Sequence, residues 1–134
     1  MKTMQSLEKI RSTVERIKNS DTQTFPSAAS HGDTFRQGDL YLTYLSKMPE
    51  NVQPRKFDAQ LAPGNTQGSR HILSHYRVEM YSLVGGSALD GPILKVSDEV
   101  TVTHPEHGHV ILPAGIYAVT YQRDHAEELR RVQD

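Results

Sequence analysis

The stretch EVTVTHPEHGHVILPAGIYAVTY, residues 99–121, decides how the chain is read. Val100 and Val102 alternate with Thr101 and Thr103, so one side is apolar and the other polar. That period of two is the pattern of a half-buried strand. His104-Pro105-Glu106-His107-Gly108 follows as a hairpin connection. Proline suits an early turn position, and glycine tolerates positive φ. Val110 to Leu112 resumes the strand, Pro113-Ala114-Gly115 turns again, and Ile116 to Tyr121 is the last strand. Strand, turn, strand, turn, strand within so short a span predicts an antiparallel β protein.

Upstream, the same period holds back to Phe35. Strands are expected over Asp39–Leu45, Arg70–Ser74, Tyr76–Val84, Ile93–Val96 and Glu99–Thr103, with a short edge strand over Lys56–Leu61. Pro49 and Pro54 are expected to interrupt. Pro63, Gly64, Asn65 and Gly68 mark a loop, and Gly85, Gly86 and Gly91-Pro92 mark turns. Many short strands with frequent turns predict a small β-sandwich or barrel, with a cupin-like or jelly-roll form among the options.

The two ends read differently. Met4, Leu7, Ile10, Val14 and Ile17 recur at spacings of three and four, so residues 1–20 are expected to form an amphipathic helix capped by Thr3. Leu7, Ile10, Val14 and Ile17 also fit two heptads. The helix therefore either packs on its own domain or pairs with a second copy or a protein partner. Residues 21–34, rich in Ser, Thr, Ala and Gly, read as a flexible linker. The β domain is then residues 35–134. It closes with a short helix that Asp124 can cap, with Glu127 at the reciprocal position and Leu129 and Val132 on the buried side.

Composition narrows the function. The chain has 134 residues, formal net charge −1, and no cysteine. Disulfides, thiolate metal sites and cysteine nucleophiles are therefore excluded. No run of Lys and Arg is present, which argues against nucleic-acid binding. No stretch approaches the roughly 20 apolar residues that span a bilayer, and the first twenty positions lack a signal-peptide core. The expected location is the cytoplasm.

Seven histidines are present, and His104, His107 and His109 crowd together. Neutral imidazole is the commonest protein metal ligand. On a strand His107 and His109 would face the same way, and His71 could approach across the sheet. His71, His104 and His107, with His109 as an alternative, are the candidate ligands for zinc, iron, nickel or copper. Glu106 or Asp39 would join or orient them. The plain alternative is a solvated surface cluster, because Pro105 and Gly108 put it in a turn. The serines lie in no nucleophile-elbow context, and Gly85-Gly86 lacks the Lys and Ser/Thr of a phosphate loop.

Three segments together carry a resemblance. Arg36-Gln37-Gly38-Asp39 precedes a hydrophobic strand, Gly68 and His71 follow a loop, and residues 104–125 hold His-x-x-His, Leu-Pro-Ala-Gly-Ile-Tyr and Gln-Arg-Asp-His. The chain is similar over residues 36–134 to a group of small, uncharacterised bacterial and phage-borne proteins. Their pattern is Arg-Gln-Gly-Asp, Thr-Gly-His-x-His, His-x-x-His, Leu-Pro-x-Gly-x-Tyr and Gln-Arg-Glu-Tyr. Here Gln67, Ser69 and His125 depart from it. The chain also resembles cupins in its His-x-His and Pro-x-Gly turn. Leu112 and Pro113 stand where the cupin glutamate would be, and Ala118 where its last histidine would be.

Three functions are expected in turn. The first is a non-enzymatic binding or assembly module. The second is a His-ligated, metal-dependent small β-barrel protein or enzyme. The third, implied by the resemblance, is a phage or mobile-element accessory protein.

Overall fold

The computed structural model describes residues 22–26, 28–62 and 71–122. The expected helix over 1–20, with Leu7, Ile10, Val14 and Ile17, and the one beginning at Asp124 lie outside the described residues.

The described chain is mainly β, with ten strands and no helix. The strands are β1 Gln23–Thr24, β2 Thr34–Gln37, β3 Leu40–Leu45, β4 Val52–Arg55, β5 Ile72–Leu73, β6 Val78–Leu83, β7 Asp90–Val96, β8 Val100–Thr103, β9 Val110–Leu112 and β10 Gly115–Tyr121. They form two sheets, ordered β1-β9-β8-β5 and β2-β3-β10-β7-β6-β4. The alternation is visible in burial. Val78 and Met80 of β6, Val100 and Val102 of β8, and Tyr117, Val119 and Tyr121 of β10 are buried. These side chains join one apolar cluster that draws on both sheets, as in a β-sandwich. The β8–β9 hairpin pairs Val100 with Leu112 and Val102 with Val110, so the two turns of residues 99–121 stand where the sequence put them.

Two expectations need correction. Of the stretch read as a flexible linker, residues 22–26 and 28–34 are part of the fold. Gln23 and Thr24 pair in parallel with Val110 and Ile111, and β2 begins at Thr34. Phe25 is 1% exposed. Its ring lies 4.3 Å from Phe35 and 5.0 Å from Tyr117, centroid to centroid. A single aromatic can anchor a polar segment because it removes so much apolar area from water.

The edge strand expected over Lys56–Leu61 lies earlier, at Val52–Arg55, and contains Pro54. As the outermost strand of its sheet it tolerates a residue that cannot donate to a neighbour. Residues 59–62 instead run beside β5: Leu61 N–H donates to His71 C=O, and Leu73 N–H to Ala59 C=O, each at 2.9 Å.

Tyr121 donates its hydroxyl to Leu61 C=O at 2.6 Å, and Tyr117 donates to Pro113 C=O at 2.8 Å. Burial pushes both phenols up to about 12, because the phenolate would lose its water. Tyr44 adds to this at Tyr117; at Tyr121, Arg55 opposes it while Asp39 and Asp58 add.

Candidate functional site

The site begins with the two-residue turn between β2 and β3. Gln37 pairs with Leu40, leaving Gly38 and Asp39 as the loop. Gly38 has φ +58° and no non-glycine residue is at positive φ among the described residues, the pattern of a type II′ hairpin. A Cβ on Gly38 would also lie 2.7 Å from His107 Cδ2. The backbone therefore needs glycine for two independent reasons, conformation and space.

Gln37 points inward from β2 and is 1% exposed. Its Nε2 donates to Val102 C=O and to Gly108 C=O, both at 2.9 Å. Those two carbonyls fix the amide orientation and turn Oε1 toward His71, whose Nδ1 lies 2.7 Å away. Since Oε1 only accepts, Nδ1 carries a proton. Nε2 of the same ring lies 2.9 Å from Asp39 Oδ1. An imidazole that donates from both nitrogens to the amide oxygen and the carboxylate satisfies every group in the chain of bonds. His71 is fully buried and Asp39 is partly exposed, so water stabilises the carboxylate end. The network joins the two sheets, because Gln37 and Asp39 belong to the β2–β3 hairpin and His71 leads into β5.

His104 sits against this network. Its ring centroid is 4.7 Å from that of His71 and 4.6 Å from that of His107. Its Nδ1 accepts the backbone N–H groups of Glu106 and His107, at 3.0 and 3.1 Å, which closes the β8–β9 turn. A ring whose Nδ1 accepts carries its proton on Nε2 when neutral. His104 is only 6% exposed, so the expectation of a wholly solvated turn cluster fails for this residue.

The structure thus brings His71, His104 and His107 together. His109 stays apart: it is exposed, and its Nδ1 accepts His104 N–H at 3.3 Å. His107 and His109 lie in the turn rather than on a strand. Among the described residues no group of three or more His, Asp or Glu side chains is arranged to hold a metal ion. Asp39 is hydrogen-bonded to the His71 ring.

A cleft of about 370 Å³ opens beside the network, lined by Gln23, Arg36, Gly38, Glu106, His107 and Gly108. Arg36 Nε donates to Gly38 C=O at 2.7 Å, and its guanidinium carbon lies 5.9 Å from the Tyr41 ring centroid. Within Arg36-Gln37-Gly38-Asp39 the roles therefore divide. Arg36 walls the cleft, Gln37 ties the sheets, Gly38 makes the turn and Asp39 partners the histidine.

Sequence reasoning missed Gln37 as a structural hub. The signal for it was its parity with Phe35, which places a polar residue on the inward side of an alternating strand. It also missed Arg36 as a cleft residue, for which spacing offers no signal.

Fold and site together define a β-sandwich domain whose sheets are tied by an amide–imidazole–carboxylate chain beside an open polar cleft. The chain belongs to the family described as Domain of unknown function (DUF8820), whose model matches residues 36–122. This agrees with the expectation of an uncharacterised family. No curated protein and no solved structure matches the chain. No helix among the described residues is long and apolar enough to cross a membrane.

Proposed function

We propose that this domain is a non-enzymatic binding module whose ligand enters the cleft between β1, the β2–β3 turn and the β8–β9 turn. The observation that supports the reading is the contrast between the cleft's lining and its backing. Arg36, Glu106 and His107 are exposed. Behind them Gln37, His71 and His104 are buried and hydrogen-bonded. A fixed backing with accessible tips suits recognition, since a preorganised site loses less entropy on binding. A general base needs a lone pair within reach of its substrate. His71 directs both nitrogens at protein oxygens, and His104 Nδ1 is engaged by two N–H groups, so these two buried rings serve as backing for the cleft rather than as bases.

Protein-observed NMR of the amide resonances, titrated with a library of neutral and charged small molecules, tests this. Hits are expected to shift the amides of Arg36, Gly38 and His107, and to be lost in Gln23→Trp, which fills the cleft from an exposed position. Hits that map elsewhere, or that survive Gln23→Trp, overturn the reading. Assembly through Leu7, Ile10, Val14 and Ile17 belongs to the same reading. A solution mass unchanged by Ile10→Glu with Val14→Glu would remove that part.

A second reading, a transition metal held by His71, His104 and His107, is favoured by the convergence of their rings. It requires His71 to exchange Asp39 or Gln37 for the metal, and His104 to turn a deprotonated nitrogen toward it. Metal analysis of untagged protein decides: the reading expects stoichiometric zinc, iron, nickel or copper and a higher melting temperature with it, and their absence overturns it.

A further inference from the structure

Arg36 and His107 share the cleft, and among the described residues each keeps polar side-chain atoms that make no hydrogen bond. Arg36 Nε is held by Gly38 C=O, and its guanidinium carbon lies 5.9 Å from the Tyr41 ring centroid. Among the described residues no carboxylate pairs with its remaining N–H groups. His107 uses its backbone N–H on His104, while its ring nitrogens make no hydrogen bond among the described residues. The ring is nevertheless fixed, wedged against Gly38 and in tilted contact with the His104 ring at 4.6 Å.

A pinned guanidinium with open donors and a pinned imidazole in one cleft define a receptor for a planar anion. Guanidinium matches a carboxylate in two parallel hydrogen bonds, and the pairing is stronger because both partners are charged. Arg36 brings one positive charge to the cleft, which a carboxylate matches and a dianionic phosphate exceeds. Glu106 lines the same cleft, and its repulsion grows with the charge of the ligand. We infer that the cleft binds a carboxylate group, held by the Arg36 guanidinium and the His107 imidazole. This rests on the cleft being the binding site proposed above.

The carboxylate can come from a small acid or from a peptide. The neighbouring edge makes the peptide a real alternative. β2 is the outer strand of its sheet, paired only with β3 among the described residues. Next to a two-residue turn Gln37 and Leu40 form a hydrogen-bonded pair, so the N–H and C=O of Arg36 face away from β3. An extended peptide could add there as a strand with its acidic side chain at Arg36.

The test is an NMR titration of the full chain with acetate, with a blocked tetrapeptide containing Asp, with acetamide as the neutral isostere, and with inorganic phosphate. Acetate and the peptide are expected to shift the His107 Cε1–H and the Arg36 amide, and acetamide at equal concentration to leave them unmoved. Binding to the peptide more than tenfold tighter than to acetate assigns the peptide source; equal affinity assigns the small acid. Arg36→Gln is expected to weaken either at least tenfold while the melting temperature holds, and Arg36→Lys to lose part of the affinity if Arg36→Gln fails to fold. Equal shifts with acetamide overturn the carboxylate inference and leave the cleft reading standing. Phosphate binding as tightly as acetate overturns the choice of carboxylate. No shift at the cleft with any probe overturns both.

Discussion

Two pairs of histidines in this protein make nearly the same bonds in different surroundings. His75 accepts Arg77 N–H at 3.1 Å on Nδ1 and donates to Glu99 C=O at 2.9 Å from Nε2. His31 accepts Ser46 N–H at 3.0 Å. These bonds lie at the surface, where water can replace a lost partner. The rings of His71 and His104 bond at similar distances but are buried, so water reaches them far less readily. A buried polar group that loses its partner keeps the full cost of desolvation, about 1–3 kcal/mol, whereas an exposed one loses little. Position, rather than residue type or bond length, therefore sets what each imidazole is worth. Reach differs too: His71 ties one sheet to the other through buried partners, while His31 and His75 join loop segments at the surface.

The strongest test of this contrast is Gln37→Leu. It keeps the volume but strands Val102 C=O, Gly108 C=O and His71 Nδ1–H, and should cost about 3–5 kcal/mol in urea unfolding. A loss under about 1 kcal/mol would break the comparison.

Gly38→Ala comes next, at about 2–3 kcal/mol, since it forces a side chain to φ +58° and drives its Cβ into His107. Adding His107→Ala should recover the steric part only, so the double substitution will cost less than the sum of the singles. Additivity would mean that the His107 ring is not wedged. Tyr121→Phe, which removes the hydroxyl from Leu61 C=O, should cost about 1 kcal/mol and shows whether the contrast extends beyond imidazoles. His75→Ala and His31→Ala close the series, each under about 1 kcal/mol by thermal unfolding. A loss at either that matched Gln37→Leu would overturn the argument from burial.

The sheet character of this protein was legible because alternation is a local property. Val78, Met80, Val100, Val102, Val110 and Leu112 follow it, and all are buried. The β8–β9 hairpin was legible because Pro105 and Gly108 act on the few bonds beside them. Phe25 was not, since its neighbours Thr24 and Pro26 carry loop composition, and only its packing on Phe35 and Tyr117 makes the segment part of the core. The imidazole count was visible too, and the rings of His71, His104 and His107, which were grouped as candidate metal ligands, lie near one another in the structure.

By itself the sequence determined a β domain with a histidine-rich hairpin and no thiol chemistry, because strand periodicity, turn chemistry and residue type are written one position at a time. The tertiary structure alone decided that the strands divide into two sheets and that Gln37 and Asp39 clasp His71 from the opposite sheet. It also decided that Arg36 meets His107 across a cleft. Those contacts join residues tens of positions apart, and their partners are selected by how two sheets pack, which no local pattern encodes.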